Sequence, residues 1–272
     1  LALHTDLNNT KTRKAFSQLL VIMSELREKC PWDQKQTMES LRHLTIEETF
    51  ELSEAILEGD MEDVKKELGD LLLHIVLYAL IASEQHSFTL TQIIQTLCDK
   101  LIYRHPHIYS QEKAEDIQAV KQNWEKLKLK EKGNQSVLGG VPQALPSLIK
   151  AMRIQEKVSM IGFNLQDRKA VWQKIKKEMQ VLTQQHNQDA PTPPHTQKGQ
   201  EAFGELLFSL VNYARLVEVN SEEALEKANK KFIREFQHME QQVANEGRQL
   251  TQLSTKELMY YWKEAKRQAG FV

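Results

Sequence analysis

Leu68-Gly-Asp-Leu-Leu-Leu-His-Ile-Val-Leu-Tyr-Ala79 recurs later in the chain as Phe203-Gly-Glu-Leu-Leu-Phe-Ser-Leu-Val-Asn-Tyr-Ala214. The glycine, the Leu-Leu pair, the valine and the Tyr-Ala pair keep their places, at a spacing of 135 residues. Weaker echoes follow in the same order. Trp32-Asp33 answers Phe163-Asn164, Asp99-Lys100 with Arg104 answers Asn229-Lys230 with Arg234, and Trp124 answers Trp262. The chain therefore reads as a duplicated unit. The apolar residues Val64, Leu68, Leu71, Leu72, Ile75, Val76 and Ala79 recur at helical spacing, so this segment is expected to be a helix packing one face on partner helices.

Working outward, four principal helices are expected in the first copy, near Lys11–Lys29, Met38–Leu57, Met61–Glu84 and Leu90–Tyr103, with a fifth near Ile117–Glu131. Gly59 stops the second, Asp60 caps the third, Thr89 caps the fourth, and Pro106 follows the fourth helix's end. Lys132 to Pro146 reads as the linker, and Thr183 to Gly199, rich in Gln, Pro and Thr, as a loop inserted in the second copy. The expected fold is all-α, two tandem four-helix bundles over residues 1–135 and 136–272.

The bulk properties agree and exclude several roles. Only ten glycines and seven prolines interrupt 272 residues, which suits long helices in two domains. A net charge of −1 gives no positive field for a nucleic-acid polymer or an anionic membrane. The longest apolar stretch, Leu71 to Ala82, is broken by His74, and no basic start precedes an apolar core, so neither a membrane span nor a signal peptide is expected. Cys30 and Cys98 lack CxxC spacing, which fits the reducing cytoplasm.

The chemistry is concentrated between Glu47 and Asp70, where ten carboxylates stand against two lysines, a formal charge of −8. Glu47, Glu48 and Glu51 share one side of the second helix, and Glu67 and Asp70 one side of the third. Acidic helix residues are ordinarily a solvated face. Here Glu67 and Asp70 interrupt an apolar run beside Leu68, Leu71 and Leu72, which brings part of the acidic stripe close to the interior. Carboxylates in such a place are costly unless compensated, and a divalent cation offsets both repulsion and desolvation. An all-oxygen set suits Mg²⁺, with Mn²⁺ as a substitute, better than Zn²⁺. Glu54, a turn beyond Glu51, reads as a solvated neighbour, and His74 as a hydrogen-bonded core residue rather than a ligand.

Glu47-Glu48-x-x-Glu51, then Glu67-x-x-Asp70, flanked by Cys30-Pro-Trp-Asp33 and Arg104-His-Pro-His107, resembles the MazG nucleoside triphosphate pyrophosphohydrolases over nearly the whole chain. The resemblance implies an all-α, Mg²⁺-dependent, usually dimeric enzyme that cuts between the α and β phosphates. It implies metal ligands at Glu47, Glu48, Glu51, Glu67 and Asp70, and basic substrate contacts at Lys100 and Arg104. A glutamate, Glu48 or Glu51, is expected to accept a proton from the attacking water. Trp32 in its non-helical segment is a candidate for stacking on a base, and Asp33 for contacting the ligand or capping a helix. His105 and His107 are expected to fix the turn around Pro106.

In the second copy Lys177, Glu178 and Val181 stand where the first has Glu47, Glu48 and Glu51, and Ala202 and Glu205 where it has Glu67 and Asp70. Only Glu178 and Glu205 remain acidic, so that half is expected to bind Mg²⁺ poorly and to be structural or dimerising. Asn229, Lys230 and Arg234 persist there and leave room for a regulatory nucleotide. Activity is therefore assigned to residues 1–135, as nucleotide-pool house-cleaning. Competing readings are a dUTP-type or modified-nucleotide pyrophosphatase, a non-catalytic helical adaptor, and a di-iron bundle, for which only Glu235-x-x-His238 has the right spacing.

Overall fold

A computed structural model describes residues 9–110, 136–163, 167–186 and 197–269, with isolated positions 120, 123, 124 and 127. Among the described residues there is no strand, and the fold is all-α. The chain divides into two compact units, Leu1–Glu115 and Asp116–Val272.

The first unit contains α1 (Thr10–Lys29), α2 (Met38–Glu58), α3 (Met61–Glu84), α4 (Leu90–Arg104) and the short α5 (Pro106–Tyr109). Local chemistry sets the ends where the sequence places them. Thr37 and Ser40 form a reciprocal capping box that opens α2. Gly59 closes α2 in the left-handed conformation, φ 75°, and Asp60 Oδ1 then accepts the backbone N–H groups of Glu62 and Asp63 at 3.0 and 3.1 Å to start α3. That two-residue connection folds α3 back on α2, and this is the most extensive helix pair of the unit. Thr89 and Gln92 cap α4 in the same reciprocal way. Pro106 does more than follow α4: it begins α5, where a missing N–H costs nothing. His105 Nδ1 lies 2.6 Å from the Leu101 carbonyl and holds that turn.

The core of the unit, Met23, Leu41, Val76, Leu77 and Ile81, gathers where α1 covers the carboxyl-terminal half of α3 and the amino-terminal half of α2. The apolar stripe of α3 does not pack as a single face. Val64, Val76 and Ala79 are buried and Leu71 half-buried, but Leu68, Leu72 and Ile75 are exposed, Leu68 by 52% and Ile75 by 48%. A stripe this wide covers two sides of the helix, and α1 and α2 occupy one of them. The fourth helix leaves the other side uncovered: α4 meets α3 lightly and has no buried residue.

The second unit repeats the plan with α6 (Ser147–Met160), α7 (Arg168–His186), α8 (Gln197–Leu216), α9 (Ser221–Asn245) and α10 (Thr255–Ala269). The α7/α8 pair answers α2/α3 and packs on Val171, Ile175 and Leu206. Helices α9 and α10 enclose a second cluster of Met239, Val243, Leu253, Tyr261 and Ala265. Helix α7 continues to His186, into the run expected to be loop from Thr183, because its glutamines are adequate helix formers. The prolines of that run lie outside the described residues, as does most of the helix expected near Ile117–Glu131. Of the expected linker, Val137–Gly140 forms a 3₁₀ turn.

The turn at Gly59 gives a direct test of this local logic. A Cβ there meets nothing within 4 Å, so Gly59→Ala carries only the backbone cost of a left-handed conformation. We expect a destabilisation of about 1–2 kcal/mol in denaturant unfolding monitored by helical circular dichroism; an unchanged midpoint would contradict it.

Candidate metal centre

The α2/α3 hairpin brings carboxylates of both helices into one group. Oxygens of Glu48, Glu67 and Asp70 lie within 4.8 Å of one another. Glu67 is 2% exposed, and Glu48 and Asp70 are half-buried. One oxygen of Glu67 accepts a hydrogen bond from Lys66 Nζ at 2.7 Å, while the other is buried with no hydrogen-bond partner.

The electrostatics follow from that crowding. Burial, then Asp70 and the neighbouring glutamates Glu67 and Glu51, push the Glu48 carboxyl above its ordinary range. Partial burial, then Glu67 and Glu47, raise Glu51 in the same direction. Glu67 is held below the usual range, chiefly by the hydrogen bond from Lys66. The three-carboxylate group is thus held with Glu67 ionised and Glu48 reluctant to ionise, the signature of like charges sharing a site. A hard divalent cation fits this donor set. Such an ion would supply the partner that the second Glu67 oxygen lacks and would offset the charge that one lysine leaves unbalanced.

The other residues singled out in the sequence fall at different places. Glu51 faces Glu67 from the rim, and Glu47, exposed, lies next to Glu51. Lys100 and Arg104 stand on α4, the first exposed and the second half-buried. The lysine bound to the acidic group is Lys66, which the charge count of the sequence included but did not place there. Trp32, 54% exposed, and the buried Asp33 belong to a turn between α1 and α2. Arg27 pins that turn by donating to the backbone carbonyls of Asp33 and Gln36 while binding Glu84 through two parallel hydrogen bonds of 2.8 and 2.7 Å. Glu84 is fourteen residues beyond Asp70 on α3, or about 21 Å of helix, so within the unit this turn lies at the far end from the carboxylates. His74 is buried and lies 3.3 Å from Thr45 Oγ1, as a hydrogen-bonded core residue.

In the second unit the equivalent place is differently built. Glu178 receives Ser209 Oγ at 3.3 Å and Lys174 Nζ at 3.4 Å, and its other oxygen is buried without a hydrogen-bond partner. Lys177, Val181 and Glu205 are exposed and Ala202 half-buried. Among the described residues no second carboxylate group comparable to Glu48, Glu67 and Asp70 forms there.

A helical hairpin that gathers carboxylates of an EExxE and an ExxD segment into one group is the class of site this geometry defines. The MazG nucleotide pyrophosphohydrolase domain matches residues 36–109, the segment from the start of α2 to the end of α5. The chain is 42% identical to the nucleoside triphosphate pyrophosphohydrolase/pyrophosphatase MazG of Thermotoga maritima, over 92% of this chain and 95% of that one. It is 36% identical to the nucleoside triphosphate pyrophosphohydrolase of Escherichia coli K12, over 93% and 97%. A crystal structure of a mazG-related protein from Thermotoga maritima is similar at 28% identity over 41% of this chain and 97% of that one, with a TM-score of 0.37. The chain belongs to the MazG nucleoside triphosphate pyrophosphohydrolase family.

The strain in the cluster has a measurable sign. A carboxylate whose folded value is raised binds protons better in the folded state, so the metal-free protein gains stability as pH falls from about 7 through that raised value toward the ordinary 4.5. The depressed Glu67 acts the other way, but its contribution is lost only below that ordinary value. Burial lowers the His74 imidazole, which takes stability away as pH falls below about 6.5 and so opposes the carboxylates in this window. The carboxylate effect is therefore read as a difference in EDTA: Glu48→Gln should melt above the parent at about pH 7, and that gap should narrow by about pH 5. Calorimetry that found Glu48→Gln less stable than the parent without metal would show that the cluster is not repulsive.

Proposed function

We propose that the chain hydrolyses nucleoside triphosphates to the monophosphate and pyrophosphate, with Mg²⁺ as its cofactor and the first copy as its working half. The observation that carries this is the convergence of Glu48, Glu67 and Asp70, with a buried Glu67 oxygen left open for a ligand. Relatives along nearly the full length bear the name of this activity.

Mg²⁺ bound by these carboxylates would neutralise phosphate charge and acidify a bound water. Glu67 and Asp70 are the principal ligands, Glu67 being kept ionised by Lys66 until a cation arrives. Glu48 is the proton acceptor: its raised value brings it nearer to neutral pH, where a general base works best, while Glu51 and Glu47 complete the ligand set from the rim. Hydrolysis adds water across the α–β anhydride, the proton passes to Glu48, and pyrophosphate leaves. Lys100 and Arg104 are assigned to the phosphate tail, where a guanidinium makes two parallel hydrogen bonds.

We assign the protein a homodimeric state. Leu68, Leu72 and Ile75 of α3 are exposed, and so are Phe203, Leu207 and Leu210, their repeat equivalents on α8. Apolar stripes that recur at the same face of both copies fit surfaces that a second chain covers. Trp32 and Asp33 are assigned to the base, with assembly bringing their turn to a carboxylate group. Unpaired Cys30 and Cys98 suit the cytoplasm. The second copy is the structural, dimerising half, and the physiological role is house-cleaning of the nucleotide pool.

Purified protein incubated with each NTP and dNTP plus Mg²⁺ should release pyrophosphate and the monophosphate; orthophosphate with the diphosphate would reject the bond position. Glu48→Gln should stay folded and lose about 10²–10⁴-fold in rate, the range for a general acid or base, and Asp70→Asn should stay folded and lose rate and Mg²⁺ affinity together. Glu178→Gln should keep the parent rate. Leu207→Glu combined with Leu210→Glu, on the dimerising copy, should convert the dimer to a monomer in light scattering, and an unchanged mass would remove that face from the interface.

A further inference from the structure

One turn from the carboxylates, on the side of the apolar core, α2 and α3 are joined by polar side chains for which the metal chemistry has no direct use. Thr45 Oγ1 lies 2.8 Å from the Tyr78 hydroxyl and 3.3 Å from His74 Nδ1, and donates to the Leu41 carbonyl at 3.1 Å. A hydroxyl has one proton and two lone pairs. With the proton committed to Leu41, Thr45 accepts from both Tyr78 and a His74 protonated at Nδ1, so all three side chains are satisfied through one oxygen. Thr45 precedes Glu48 by three residues, and His74 follows Asp70 by four. Each anchor is therefore about one helical turn from a carboxylate of the cluster, on the same helix face.

The second copy shows that the hairpin does not need this tie to fold. Ile175 stands where the first copy has Thr45 and is fully buried, Ser209 replaces His74, and Tyr213, the equivalent of Tyr78, packs on Trp172 with ring centroids 4.9 Å apart. The α7/α8 pair remains as extensive as α2/α3. The copy that lacks the carboxylate set also lacks the three-residue tie: apolar packing fills the places of Thr45 and Tyr78, and Ser209, at the place of His74, turns to Glu178 instead. The buried polar groups of the first copy thus accompany the ligand set, not the hairpin.

We propose that Thr45, His74 and Tyr78 are positioning residues: a polar clamp that fixes the rotation of α2 against α3 and so holds Glu48 against Glu67 and Asp70 despite their mutual repulsion. Hydrogen bonds are directional where apolar contacts are not, and a small rotation of either helix separates the oxygens. This rests on the carboxylate group being a cation site.

The test is Mn²⁺ binding to the full-length protein without nucleotide, by calorimetry, alongside the metal-free melting temperature. Thr45→Val keeps the shape and removes the hydroxyl, which leaves the buried His74 N–H without its acceptor; it should weaken Mn²⁺ about 10-fold or more, the cost of losing supporting partners around a metal site, in a protein that stays folded but melts at a lower temperature. Thr45→Ser should restore the affinity, and Tyr78→Phe should weaken it by a smaller factor. Parent-like Mn²⁺ affinity in both Thr45→Val and Tyr78→Phe would overturn the clamp while leaving the cation site intact. Absence of Mn²⁺ uptake by the unaltered protein would instead remove the cation site, and the clamp with it.

Discussion

Three carboxylates held within 4.8 Å across a two-helix hairpin are the constraint on which the rest of this molecule turns. Like charges at that distance, half withdrawn from water, push their helices apart. The hairpin keeps them together because its other half is an apolar core, with Leu41 on α2 and Leu77 and Ile81 on α3 all but fully buried. Stability is thus gathered at one end of the pair and spent at the other. A site that is unfavourable when empty and relieved by a cation is what selective ion binding requires, because the protein gains most where it has most to neutralise.

The separation along α3 also explains which parts of the molecule were legible in the sequence. Helix ends could be read because each depends on a short-range contact: Asp60 with the amides two and three residues on, Gly59 with its own backbone, Thr89 with Gln92. The acidic group could be read because three- and four-residue spacings fix the face of a helix. What spacing does not contain is the partner across the gap. Nothing in the order of residues says that Lys66 reaches Glu67 rather than water, or that Thr45 meets Tyr78 thirty-three residues away. Nor does periodicity say how much of an apolar stripe its own chain will cover, which is why Leu68, Leu72 and Ile75 read as core and stand exposed.

That open stripe carries its own information because it recurs. Phe203, Leu207 and Leu210 are spaced as Leu68, Leu72 and Ile75 are, and each unit exposes all three. A single exposed leucine is ordinary on any surface. Three at helical spacing, twice, are a property of the repeated design. In both copies the helix at this place is covered on one side by its own unit and leaves the same apolar positions exposed on the other.

The two copies also show how the number of charges decides what a site becomes. Glu178 is the sole survivor of its cluster within the α7/α8 pair to be largely buried, and Lys174, at the place of the apolar Leu44, approaches it together with Ser209. The charge of one carboxylate is offset by a neighbouring ammonium and a hydroxyl from within the chain, although the second Glu178 oxygen keeps no hydrogen-bond partner. In the first copy the same remedy is used once, by Lys66 on Glu67, and is exhausted there: Asp70 and Glu48 remain, with Glu51 behind them. A small divalent ion carries twice the charge in a fraction of the volume and accepts oxygens from several directions at once. The same hairpin therefore holds one largely buried acid beside a lysine in the second copy and a crowded group of three carboxylates in the first, and the difference lies in a handful of side chains that leave the helices themselves unaltered.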